Sequence, residues 1–117
     1  MNPFAKFLRE RRESLRVEDK AFSIRQVAQR AGIEPSYLSK IERGQEAPPS
    51  EETIVKLARE LSEDPDLMLA LAGKVSSDVQ EVIRKRPQLF AQLLRQLKDA
   101  PEHAVLRIVR EVRDGDW

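Results

Sequence analysis

At 117 residues the chain has room for one domain, or one small domain with an appendage. With no cysteine and a single histidine, His103, it excludes disulfides, thiolate or multi-histidine metal sites and a cysteine nucleophile, and no cofactor is expected. Formal net charge is +1, but residues 1–50 hold ten Lys/Arg against seven Asp/Glu, residues 51–75 three against six and residues 76–117 eight against seven, so a polyanion would meet the N-terminal part.

Pro, Gly and Asp/Asn punctuation without an alternating β-branched stretch predicts an all-α chain. A first helix is expected from an Asn2 cap with Pro3 at its first position. Phe4, Phe7, Leu8 and Leu15 form its apolar stripe, and Lys6, Arg9, Arg11 and Arg12 give it a basic side, most of it solvated. Residues 16–22, RVEDKAF, read either as a loop or as an extra turn of the first helix, with Arg16 and Lys20 as solvated charges or, alternatively, as contacts to a polyanion's backbone. Phe22, just before a cap, suits a hydrophobic staple. Ser23 caps a second helix whose apolar positions are Ile24, Val27, Ala28 and Ala31. Gly32 follows where a helix ends in a left-handed residue, and Ile33 plugs the corner. Pro35 opens a third helix at about 35–43, which turns Leu38 and Ile41 inward and ends at Gly44. Two short helices joined by a tight turn containing Gly have the crossing of a helix-turn-helix.

Ser50 caps a fourth helix, with Glu51 and Glu52 in its first turn and Ile54, Val55, Leu57, Ala58 and Leu61 on its apolar face. Asp64 and Pro65 start a fifth, in which Leu67, Met68, Leu69 and Leu71 are expected to close the core, and Gly73 ends it. Beyond it, Ser76 or Ser77 caps a helix with Val79, Val82 and Ile83. Pro87 starts one with Leu89, Phe90, Leu93, Leu94 and Leu97 on one wide side. Pro101 starts one with Val105, Leu106, Ile108, Val109 and Val112. These stretches are too apolar for a disordered tail, yet too short for a thick core alone, so packing against a second copy is expected. The expected division is residues 1–74 for the five-helix domain and 75–117 for a helical dimerisation or partner-binding region.

The register of Ala28, Gly32, Ile33, Tyr37, Leu38, Ser39, Ile41, Glu42, Arg43 and Gly44 resembles the helix-turn-helix of the Cro and lambda-repressor (XRE-type) regulators. The likeness runs through Pro48, Pro49 and Ser50 to Ala72, Gly73 and Lys74. It implies a five-helix DNA-binding domain. It also implies that Arg12 pairs with Glu42, a fold-locking contact suited to the bidentate guanidinium. In this docking mode the third helix reads the major groove through its N-terminal residues. Pro35, Ser36, Ser39 and Lys40 would then face bases, Lys40 donating to guanine and the serines serving either base type. Arg43 and Arg25 would reach phosphate, and Tyr37 either donates to phosphate or packs half-buried. The chain departs from the family pattern at Ile24, often Gln there, and at Gln45 and Glu46, where the segment is often basic; modest affinity or dependence on pairing follows.

The resemblance implies a sequence-specific transcriptional regulator, a dimeric repressor on an inverted repeat of double-stranded DNA. The alternative is an antitoxin-type protein whose C-terminal helices bind a partner protein. No enzymatic activity is expected, because His103 beside Glu102 reads as surface decoration. No apolar run is long enough for a membrane span and the first residues lack a signal peptide's apolar core, so a cytoplasmic location is expected.

Overall fold

A computed structural model describes residues 2–115. Among these residues the chain is all-helical: α1 is Pro3–Arg16, α2 Ile24–Ala31, α3 Pro35–Glu42, α4 Glu51–Glu60, α5 Pro65–Leu71, α6 Ser77–Lys85, α7 Pro87–Lys98 and α8 Glu102–Asp114. A short 3₁₀ turn, Lys20–Phe22, precedes α2. The chain divides into two compact units, one ending at Ser76 and one beginning at Ser77.

Local chemistry sets the boundaries of the first unit. The Asn2, Ser23, Ser50 and Asp64 side chains accept backbone N–H groups at the heads of α1, α2, α4 and α5, where those donors have no partner within the helix. Helices α2 to α5 share one ending. The residue after the last turn is left-handed at Gly32, Gly44, Ser62 and Gly73, with φ of 73°, 72°, 54° and 73°. The next N–H then reaches back over the turn, from Ile33 to Ala28 O (3.0 Å), Gln45 to Lys40 O (2.9 Å), Glu63 to Ala58 O (2.8 Å) and Lys74 to Leu69 O (2.8 Å). This closure satisfies carbonyls that would otherwise face outward unpaired. Ser62 does without glycine's freedom what the other three positions do with it.

Between the caps, Phe4, Leu8, Val27, Ala28, Leu38, Ile41, Ile54, Leu57, Leu61, Met68 and Leu69 bury against one another. Helix α2 packs on α3 and α4, α4 on α5, and α1 on α3 and α5. Each large side chain removed from water contributes about 1.5–3 kcal/mol, so this cluster is what holds the short helices together. Segment 16–22 is neither simply loop nor more of the first helix: α1 runs to Arg16, then a turn leads into the 3₁₀ turn, where Asp19 caps Ala21. Phe22 packs at the edge of the core with the Arg30 guanidinium 5.5 Å from its ring centre. Leu67 corrects an expectation, being 43% exposed. It sits in a seven-residue helix whose narrow inner side is filled by Met68 and Leu69. Arg11, expected in solvent, donates instead to Leu61 O (3.2 Å) and pairs with Glu63 (2.9 Å) at the end of α4.

In the second unit α6 packs on α7. Pro87 opens α7 at its first position, and Pro101 stands immediately before α8. No described residue from 77 to 115 is buried. Val79, Val82, Leu93, Leu94, Leu106, Ile108, Val109 and Val112 are all exposed, and Leu89, expected on a buried side, is 64% exposed. Among the described residues no helix is long and apolar enough to cross a membrane.

Candidate nucleic-acid interface

Helix α3 has two unlike sides. Leu38, Ile41 and Glu42 are buried, whereas Ser36, Lys40 and Arg43, at spacings of four and three, share one exposed side. Pro35, Tyr37 and Ser39 lie half-buried between the two. Tyr37 packs at the edge of the core.

A buried ion pair holds the inner side. The Arg12 guanidinium donates from Nε to Glu42 Oε2 at 2.7 Å and from Nη2 to Glu42 Oε1 at 2.9 Å, with both side chains 2% exposed. This is the parallel two-bond geometry in which Arg exceeds Lys. Arg12 also donates from Nη1 to Phe22 O (3.1 Å) and from Nη2 to Glu13 Oε1 (2.9 Å). One side chain on α1 thus fixes α3 and the entry to α2 together. Burial alone would lower the Arg12 pKa; the hydrogen bonds and charge of Glu42, then of Glu13, outweigh it and raise the pKa above the ordinary arginine value. Arg12 therefore remains a cation, as a bidentate lock requires.

The outer side is not locked. The side chains of Arg25, Ser36, Tyr37 and Lys40 make no hydrogen bond or ion pair with the described residues beyond packing. Arg43, which is exposed, gives Nε to Ser39 O at 3.3 Å, within its own last turn. Arg25, on α2, shares a shallow hollow with Gln29, Ile33, Glu34 and Pro35, at the corner where α2 leads into α3. The structure therefore brings Arg25 beside the head of α3, while Ser36, Lys40 and Arg43 lie along its length.

Arginines elsewhere on this unit are already engaged. Arg30 pairs with Glu60 at 2.7 Å, joining α2 to the end of α4. Arg11 holds the same end of α4 from α1. At about one-third exposure each of these pairs contributes about 1 kcal/mol or less, but together they keep α4 in register with the helices that carry the outer face. Lys74 Nζ donates to Pro49 O at 2.9 Å, tying the end of α5 to the segment before α4. Reasoning from sequence missed these contacts. Their partners lie 25 to 52 residues apart, and no local spacing signals them.

The family model described as a helix-turn-helix domain matches residues 3–71, more than half of the chain. The chain belongs to the helix-turn-helix domain family. The matched segment covers α1 to α5, the unit built around the Arg12–Glu42 lock, and is consistent with the XRE-type likeness. Membership makes this N-terminal unit a helix-turn-helix domain of the DNA-binding kind. No curated protein and no solved structure matches the chain. Among the described residues no group of His, Cys, Asp or Glu is placed to hold a metal ion.

Proposed function

We propose that this helix-turn-helix protein is a dimeric transcriptional repressor that reads an inverted repeat with α3 and pairs through its C-terminal helices in the cytoplasm. The observation that carries the reading is the division of α3 into a locked inner side and a free polar outer side. A helix held this way presents Ser36 and Lys40 to base edges without first breaking internal contacts. Arg25 and Arg43 flank them and reach phosphates, which position the helix without reading sequence. Regulation is by occupancy, and no bond of the DNA is made or broken.

Pairing follows from the second unit. Its three helices keep their apolar positions exposed, Val105 and Phe90 among the few half-covered. A second copy is the simplest cover, since two-fold dimers are the commonest assembly. Its mixed charges, with Arg84, Lys85, Arg86, Arg107 and Arg110 against Asp78, Glu81, Glu102 and Glu111, suit self-association better than one strongly charged partner. The same two-fold would set two α3 helices about 34 Å apart, one turn of DNA.

Sedimentation of the full chain at micromolar concentration, paired with selection from a randomised DNA pool, tests both halves. A dimer that enriches an inverted repeat is expected. A monomer that binds a single half-site as tightly as the repeat would overturn the dimer and turn the C-terminal helices toward a partner protein, as in an antitoxin.

A further inference from the structure

Glu34 is the residue immediately before α3. Its backbone is extended, with φ −71° and ψ 138°, and its side chain makes no capping hydrogen bond. Glutamate is a poor cap because its carboxylate lies one methylene too far from the first-turn amides. Pro35 next to it has no N–H to offer. The Glu34 carbonyl accepts from Tyr37 N (3.0 Å) and Leu38 N (3.1 Å), so its backbone already closes the turn and the side chain is not needed there. The side chain is exposed. Arg25 lines the same hollow, yet no ion pair joins the two. A free carboxylate therefore stands at the leading end of the helix that a helix-turn-helix directs into the major groove.

On a surface that meets a polyanion, such a group is repelled by phosphate and weakens binding to any sequence. The major groove offers it one good partner. Guanine presents two acceptors there and thymine an acceptor with a methyl group. Adenine sets an acceptor beside its amino group, and cytosine presents the N4 amino donor alone. A carboxylate thus accepts from cytosine and is repelled by guanine and thymine, so one group both selects and rejects.

We propose that Glu34 is a specificity-determining residue that reads a cytosine at the edge of each half-site and holds down binding to unrelated DNA. The proposal rests on the DNA-reading function above. It adds an acceptor with no donor of its own, which the basic and hydroxyl side chains of α3 do not supply.

The test is selection from a randomised duplex pool with the full chain, in wild-type, Glu34→Ala and Glu34→Gln forms, followed by binding to an unrelated duplex. The wild-type chain should enrich a C·G pair at one position per half-site. Glu34→Ala should lose that preference by on the order of five- to hundredfold, the discrimination one good base contact supplies, with other positions unchanged. Glu34→Gln should move it toward A·T, since glutamine pairs with the adenine edge. Both variants should bind unrelated DNA more tightly. Because the Glu34 side chain makes no hydrogen bond or ion pair with the described residues, both should melt with the wild-type chain, so a changed preference cannot be ascribed to misfolding. Variants that keep the wild-type preference at every position would overturn the assignment and leave the DNA-reading function standing. A wild-type chain that enriches no sequence would overturn both.

Discussion

Replacing Glu42 with alanine would leave the Arg12 guanidinium 2% exposed and without its two-bond partner. Breaking a buried pair from one side costs about 3–5 kcal/mol, because the remaining charge stays in a poorly hydrated place. Arg12 would not be stranded: it keeps Glu13 Oε1 at 2.9 Å and Phe22 O at 3.1 Å, and Glu13 is half-exposed to solvent. The cost of Glu42→Ala should therefore fall at the low end, about 3 kcal/mol. Arg12→Ala is the harsher change. The Glu42 carboxylate has no hydrogen-bond partner but Arg12 among the described residues, and the aliphatic stem of Arg12 also packs, so about 4–5 kcal/mol is expected. For a unit of this size 1 kcal/mol moves the midpoint by roughly 4–8 °C, so Glu42→Ala should melt roughly 12–24 °C below the wild-type chain. Urea and thermal unfolding followed by circular dichroism measure both variants, with exposed Glu46→Ala as the control, expected within about 0.5 kcal/mol of wild type. Replacing both partners with apolar residues of similar volume, Arg12→Met with Glu42→Leu, should restore much of the stability. If Glu42→Ala melts with Glu46→Ala, or if Arg12→Ala proves milder than Glu42→Ala, the reasoning from burial and residual partners is refuted.

Five further changes have expected outcomes. Ser62→Gly should stabilise the first unit by about 0.5–1 kcal/mol in urea unfolding, since φ of 54° strains any side chain there; Gly32→Ala, at φ 73° with open space for a Cβ, should cost about 1 kcal/mol from backbone strain alone. Lys40→Ala should change the bases preferred in a binding-site selection by about 1–3 kcal/mol at one position, whereas Arg25→Ala should weaken all sequences alike and reduce the slope of log affinity against log salt by about 0.9 for each phosphate that is no longer neutralised. Truncation after Ser76 should leave a folded unit by circular dichroism, since its apolar core lies wholly within that segment, and should abolish dimerisation in sedimentation; a truncated chain that still dimerises would place the pairing surface in the first unit.

The sequence by itself determined where the first unit's helices begin and where α2, α3 and α5 end. Asn2, Ser23, Ser50 and Asp64 act on amides within one turn, and Gly32, Gly44 and Gly73 act through a single φ, so their effects are written in adjacent letters. The two-sided character of α3 was equally legible, because Leu38 and Ile41 recur at helical spacing against a polar remainder. The Arg12–Glu42 pair spans 30 residues and came instead from resemblance to a known family. Other features required the tertiary structure. Arg11 and Arg30 looked like any basic surface until packing set them against Glu63 and Glu60. Ser62 took a left-handed turn with no glycine to announce it, because the Glu63 N–H closing onto Ala58 O offsets the strain. Leu67 read as core and lies exposed, because a helix of two turns has only a narrow inner side, already filled by Met68 and Leu69. Hydrophobic spacing reveals which side of a helix seeks cover, but what covers it depends on chain packing, and along α6 to α8 none of the described apolar side chains is buried and most are exposed.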